Sequence, residues 1–381
     1  MEIIGIIAEY NPFHLGHLYQ INKIKEMYPS SIIIVITSTF FSQRGEVSVL
    51  NKWDKAKIAL VNNVGLVVEL PTILAVQSAD LFAKHSLKIL NELKINKLVF
   101  GSELGNVDIL TNLANTQLNN KEYDKKVKEY LDKGLNYPTS TSKALFDITN
   151  FKIENPNDLL GLSYIKEIIK NNYPITPVTI KRTNNYHGNN QGNILSASEI
   201  RQKVLNNKDI ENNIPENTKK YLNNISISDY FNYLKYKIIL NKDNLHKYAI
   251  LDEGLENRIQ KFINKSNTYD ELIKNIKTKR YTYNKISRIL LHILLDITKE
   301  DIKNIKIDYV RILGFNNQGK THLNKIKKDL NINLITKYKE NTSNILDIEH
   351  KALLIYSLIV DNKERDYLFK MEYNNKPVIK E

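Results

Sequence analysis

The chain has 381 residues, with 55 Lys+Arg against 42 Asp+Glu, a formal net charge of +13, 42% hydrophobic residues, 25% charged residues and no cysteine. Those proportions belong to a folded protein of about two domains, which excludes collagen-like, mucin-like and wholly disordered chains. Without cysteine there is no disulfide framework, zinc ribbon, iron–sulfur cluster or thiol nucleophile, and the composition fits the cytoplasm.

The opening run to Ala8 is short, apolar and closed by Glu9, with no basic stretch before it. It predicts a buried strand rather than a signal peptide, and no window is long and apolar enough for a membrane span. Residues 14–27 then show helical spacing through Leu15, Leu18, Ile21, Ile24 and Met27. A second apolar run, Ile32 to Ile36, precedes a helical segment from Lys52 to Asn62. Leu66 to Leu70 is a third strand stopped by Pro71, and Ser78 caps a helix to about Leu93. Leu98 to Phe100 is a fourth strand; residues 107–149 are helical and charged; Asn157 opens another helix; Ile175 to Ile180 supplies a fifth strand. Solid apolar runs alternating with helices predict an α/β fold, a Rossmann-like doubly wound parallel sheet.

The rhythm changes after about residue 205. Asn213 to Asn217 is a polar join, and helices are expected over Tyr230 to Leu240, Glu253 to Ile263, Tyr269 to Ile276 and Asn284 to Ile297. Tyr309 to Leu313 reads as a strand, Thr321 to Leu330 and Leu346 to Val360 as helices. The expected division is a catalytic domain over 1–205 and a mainly α-helical basic domain over 206–381. Lys, Asn and Ile all have A/T-rich codons, so the positive charge alone points only weakly to a nucleic-acid partner.

The stretch that carries chemistry is Tyr10-Asn11-Pro12-Phe13-His14-Leu15-Gly16-His17, between the first strand and the first helix. In such a sheet, ligands sit beyond the carboxyl ends of the strands. A helix N-terminus there offers free N–H groups and partial positive charge to a phosphate. Pro12 shapes the turn, and Gly16 permits close approach of a ligand. His14 and His17, three apart, share a face, where two imidazoles can stabilise charge on phosphoryl oxygens during an in-line displacement. An H-x-x-H pair by itself is more often two surface histidines; its place after a buried strand reverses that preference. Spacing fixes no third ligand nearby, so no metal site is expected.

This pattern resembles the HxGH signature of the nucleotidylyltransferase superfamily, which implies a HUP-type Rossmann-like fold. Glu9-Tyr10-Asn11-Pro12-Phe13-His14, Gln43-Arg44-Gly45-Glu46, Val68-Glu69-Leu70-Pro71, Phe100-Gly101-Ser102-Glu103 and Pro156-Asn157-Asp158-Leu159-Leu160-Gly161 are similar to the tRNA(Met) cytidine acetate ligase family. The similarity continues through Glu253-Gly254-Leu255-Glu256-Asn257, Thr278-Lys279-Arg280-Tyr281-Thr282-Tyr283 and Val310-Arg311-Ile312-Leu313-Gly314-Phe315. It implies activation of acetate by ATP to acetyl-adenylate, release of pyrophosphate, and acetyl transfer to N4 of the wobble cytidine of elongator tRNA(Met). The product would be N4-acetylcytidine, made with no acetyl-CoA; magnesium is implied as the companion of ATP. The chain departs from the family at Leu15, where Asn is common, at Val47-Ser48 for Pro-Ala, and at Phe40-Phe41-Ser42 for a Gly-Asn-Phe-type run.

The resemblance implies an ATP loop of Ile7, Ala8, Glu9, Tyr10, Asn11, Pro12, Phe13, His14, Leu15, Gly16, His17, Leu18, Tyr19 and Gln20, with His14 and His17 catalytic. Gly101, Asn157 and Arg182 match further ATP-binding positions; read alone they are equally a turn glycine, a helix cap and a surface charge. Ser196 to Arg201 resembles the second superfamily signature, with Ser198 as N-cap or phosphate contact and Arg201 reaching the outer phosphates. Arg44 is a candidate for the acetate or cytidine pocket, since Arg binds a carboxylate through two parallel hydrogen bonds. Lys277, Lys279, Arg280, Tyr281 and Arg288 are candidates for tRNA, by pairing with phosphates and stacking on unpaired bases, or else form a solvated basic helix start. Two other functions stay open: an adenylyltransferase making a nucleotide cofactor, and a non-enzymatic nucleotide-sensing RNA-binding protein.

Overall fold

The structure, a computed structural model, describes residues 1–182, 195–252, 254–374 and 376–380. Glu253, first residue of one expected helix and of the Glu253–Asn257 motif, lies outside them. Eight strands form one sheet: β1 (Ile3–Ala8), β2 (Ile32–Ser38), β3 (Leu66–Leu70), β4 (Lys97–Ser102), β5 (Thr176–Lys181), β6 (Tyr309–Asn316), β7 (Asn333–Ile335) and β8 (Val378–Lys380). The order is β5-β4-β1-β2-β3-β6-β7, with β8 also on β6. β1 to β5 are parallel; the apolar runs of β1, β2 and β3 suit strands covered on both faces, whereas β5, at the edge, exposes Thr176 and Lys181. The chain moves outward from β1 first through β2 and β3, then through β4 and β5. That reversal opens a crevice at the carboxyl ends of β1 and β4, where the histidine motif begins.

The sheet crosses the expected boundary at residue 205. β6, from the second half, runs antiparallel to β3 with Leu66 opposite Phe315. The expected helices are present as Phe231–Leu240, Leu255–Ile263, Tyr269–Ile276, Tyr283–Leu294, Asn317–Ile326 and Asn344–Tyr356. A further helix, Asn362–Tyr373, was not expected. The region 107–149 is three helices, Val107–Asn119, Lys121–Asp132 and Tyr137–Thr149.

Buried charge also fastens the halves. Lys52 Nζ lies 2.8 Å from Glu69, 3.2 Å from Glu372 and 3.7 Å from Glu349, and Arg311 lies 2.5 Å from Glu372, all with side chains fully buried. The two cations also face the Trp53 ring at 5.2 and 5.1 Å. Glu69 belongs to β3, Arg311 to β6, and Glu349 and Glu372 to the last two helices, so one ionic cluster joins elements far apart in sequence.

The departures near Arg44 are packing residues. Phe40, Phe41, Val47 and Ser48 are all buried. Phe40 packs on Tyr356 at 4.9 Å, and Phe41 lies 6.1 Å from Tyr230, so this loop is a wedge between the sheet and the second-half helices.

Candidate active site

The chain leaves β1 through Tyr10, whose φ of 45° turns it sharply, and enters helix Leu15–Met27 with His14 as N-cap. His14 Nδ1 accepts from Gly16 N at 3.0 Å, and His17 Nδ1 accepts from His14 N at 3.2 Å. This is a reciprocal capping box built from two imidazoles. Each Nδ1 is an acceptor, so in the neutral ring Nε2 carries the proton. Burial, aided by nearby Arg182, brings His14 down to about 4 and His17 well below its ordinary value. Both rings are therefore neutral donors at physiological pH. The rings sit 3.9 Å apart, and Tyr10 packs edge-on against His17 at 4.9 Å, which fixes their orientation.

One expectation is corrected. The first-turn N–H groups are not free: Leu15 N donates to Asn213 O, Gly16 N to His14 Nδ1 and His17 N to His14 O. The side-chain N–H groups left at this corner are those of the two imidazole Nε2 atoms, with the Arg182 guanidinium nearby. Asn213 was missed because a carbonyl partner leaves no mark in side-chain pattern.

The other expected ATP positions gather on the β4–β5 side. Asn157 Nδ2 donates to Glu103 Oε1 at 2.6 Å, and Arg182 Nε lies 3.7 Å from the same oxygen. Gly101 has no room for a side chain without displacing Arg182, since a Cβ there would lie 3.2 Å from Arg182 Cγ. Glu103 is thus the hub that sequence reasoning missed, although it stands in the quoted Phe100–Glu103 motif. Asn155, not Asn157, is the cap position of helix Pro156–Lys170, which leaves the Asn157 side chain for Glu103. Asp158 accepts from Ser102 Oγ at 2.5 Å and holds the turn after β4. A cleft of about 230 Å³ opens here between Glu103, Leu104, Phe151, Ile153 and Asp158.

Within the expected ATP loop, Ala8, Tyr10 and Phe13 are buried, and Ile7, Leu18 and Tyr19 pack against the core. Asn11 anchors the loop through Val47 O and Val49 N, and Gln20 donates to Val99 O. These residues shape the site; Glu9, half-buried beside Gln43 N, has its carboxyl pushed up by burial.

The second signature is corrected as well. Ser196 is the N-cap of helix Ala197–Leu205, in a capping box with Glu199, and Ser198 lies inside the first turn. Ser198 Oγ instead accepts from Arg201, which donates to Asn11 O at 2.7 Å and pairs with Glu46. Arg201 therefore braces the motif loop. On the other side of the histidines, Arg44 is exposed. Lys277, Lys279 and Arg280 are exposed, whereas Tyr281 is 7% exposed with Lys285 Nζ 5.0 Å from its ring centroid. In this conformation Tyr281 packs inward and does not offer its face to a base.

Residues 1–369 match the family described as HIGH Nucleotidyl Transferase. A tRNA(Met) cytidine acetate ligase of Caldicellulosiruptor saccharolyticus is 36% identical over 99% of this chain and 98% of its own length. The chain belongs to the tRNA(Met) cytidine acetate ligase family. Another family protein so named, from Clostridium perfringens, is 38% identical over 94% of this chain and 96% of its own. A crystal structure of Thermotoga maritima TmcAL bound with alpha-thio ATP aligns with a TM-score of 0.88 and 26% identity, covering 100% of this chain and 99% of that one. In this family member, the three His, Asp or Glu side chains needed to cage a metal do not come together among the described residues. Glu103 and Asp158 are already engaged, so no protein ligand set for magnesium is assigned.

Proposed function

We propose that this chain is a tRNA(Met) cytidine acetate ligase that consumes ATP and acetate. In the first step an acetate oxygen attacks the α-phosphorus of ATP, the bond to the β-phosphate oxygen breaks, and pyrophosphate leaves with acetyl-adenylate behind. In the second, N4 of the wobble cytidine of elongator tRNA(Met) attacks the acetyl carbon. AMP leaves with the bonding electron pair, and N4 loses a proton. Magnesium accompanies ATP as part of the substrate, acetyl-CoA takes no part, and the reaction belongs in the cytoplasm, with ATP and tRNA.

The observation that carries this reading is the pair of neutral imidazoles whose Nδ1 atoms are turned into the backbone. Donors held in place before charge develops need no reorganisation as the α-phosphate becomes more negative. Arg182 adds fixed positive charge beside both rings, and Gly101 and Asn157 border the same side for the nucleoside. Match along the full length to proteins named as this ligase supports it over the two alternatives, a cofactor-forming adenylyltransferase and a non-enzymatic RNA binder.

The test is nucleoside analysis of elongator tRNA(Met) after incubation with ATP, magnesium and acetate. N4-acetylcytidine at the wobble position is expected, and neither His14→Ala nor His17→Ala should form it at a comparable rate. Product from acetyl-CoA alone, with none from acetate and ATP, overturns the proposal.

A further inference from the structure

Helix Tyr283–Leu294 carries one cation that nothing in the proposed reaction yet uses. Arg288 is half-buried, and its Nε is buried with no hydrogen-bond partner among the described residues. Burial draws its pKa down to about 10, and no carboxylate among the described residues offsets that effect. A guanidinium taken from water without a counter-ion is costly to maintain, whereas the same group becomes a strong site once an oxyanion arrives.

Its position is set by the loop between β2 and helix Lys52–Val61. Gly45 takes a φ of +81°, and a Cβ there would lie 2.7 Å from both Arg288 N and Ser287 C. Ser287 Oγ donates to Gly45 O at 2.9 Å, so helix and loop are in backbone contact. On one side of Gly45, Arg44 is exposed. On the other, Glu46 pairs with Arg201, which holds Asn11 O in the histidine loop. The helix also leads outward. Lys285 precedes Arg288 by three residues and so shares its face, and Lys277 and Lys279 lie exposed just before the helix.

We propose that Arg288 is a phosphate-binding residue for the RNA substrate, holding a backbone phosphate beside the reacting cytidine at the seam between the Gly45 turn and helix Tyr283–Leu294. A row of cations running from the surface to the reaction loop suits a polyanion, whose charges repeat; a single carboxylate has no use for the outer lysines. Arg44, across the same turn, is placed to assist. The inference rests on the tRNA reading above and adds a specific contact to it.

The experiment compares wild-type full-length protein with Arg288→Gln and Arg288→Lys. Elongator tRNA(Met) affinity is measured by filter binding across a salt series, and acetate-dependent ATP–pyrophosphate exchange is measured without RNA. For Arg288→Gln, affinity should fall about 5- to 20-fold, and the log–log salt slope should shrink by about one. Arg288→Lys should retain the slope with an intermediate affinity, because a point charge survives but the paired geometry does not. The acetate KM for exchange should stay within twofold of wild type. A raised acetate KM with unchanged tRNA binding would move the site to acetate and overturn the proposal. So would equal losses of exchange, affinity and thermal stability in both variants, the mark of a purely structural role. Wild-type protein that lacks acetate-dependent exchange defeats the proposed function itself; wild-type exchange with unchanged RNA affinity and slope in Arg288→Gln defeats only the phosphate contact.

Discussion

His17 helps to cap the first helix and, in the proposed reaction, would also donate to the α-phosphate, and replacing it with alanine separates the two roles. The variant loses the acceptor for His14 N, half of the capping box, and the ring contacts at 3.9 Å with His14 and 4.9 Å with Tyr10. A lost cap costs about 1 kcal/mol and a lost aromatic contact about 1 kcal/mol, so a fall near 2 kcal/mol in unfolding free energy is expected. A protein of ordinary stability stays folded after such a loss. The chemical effect should be larger: removing one prepared donor from a developing oxyanion slows a reaction by about 10²- to 10³-fold. Urea unfolding reads the first quantity, and acetate-dependent ATP–pyrophosphate exchange at saturating substrates reads the second. His17→Asn is the control, since its amide oxygen can accept from the backbone but no imidazole remains. It should recover much of the stability and little of the exchange. Exchange within threefold of wild type in His17→Ala, with the stability loss present, would reduce the residue to a helix cap and refute the mechanism.

Three further outcomes follow from buried charge and strained backbone. Lys52→Met strips the cluster of Glu69, Glu349 and Glu372 of one of its two cations, so unfolding free energy should drop by about 3–5 kcal/mol at pH 7.5. That deficit should narrow at pH 5.5 as the stranded carboxylates take up protons, and a urea-measured loss under about 1 kcal/mol would show that the cluster is dispensable. Burial holds His14, His85 and His292 at about 4, below their usual 6.5. The unfolded chain protonates first as pH falls, so this stability is complete above 6.5 and is lost towards 4. Glu349, raised to about 7 by burial, opposes the trend with a single proton. The net loss from pH 6.5 to 5 from these four groups should be about 3 kcal/mol, and a flat profile of urea midpoints would contradict it. Gly45→Ala combines left-handed strain of roughly 1–2 kcal/mol with a backbone collision worth about 1–3 kcal/mol against Ser287 and Arg288. It should lower the melting temperature and slow acetyl transfer to tRNA more than pyrophosphate exchange; equal slowing of both would disconnect this turn from the RNA step.

Much of the first half was legible because its signals are local. Ile3 to Ala8 and Ile32 to Ile36 are apolar without alternation, and only a doubly covered parallel strand tolerates that. The histidine motif could be placed at the crevice because strand end and helix start adjoin in sequence. Even the true cap of helix Ala197–Leu205 was present in the text: Ser196 has Glu199 three residues on, the spacing a capping box needs, and Ser198 does not. Helix Asn362–Tyr373 was less visible because its inward face includes Glu372, buried as an ion-pair partner instead of as an apolar residue.

The sequence by itself determined the five strands of the first half and the helices between them, the position of the two histidines at the first strand's end, and the family to which the chain belongs. Tertiary structure alone decided that β6 closes onto β3 across more than half the chain, and that Glu103 gathers Asn157 and Arg182. It alone decided, too, that Arg288 meets the Gly45 turn with no carboxylate against it among the described residues. The division has a physical cause. Periodicity and capping act between residues a few positions apart, whereas charge pairing and desolvation depend on which distant side chains the packed core brings together.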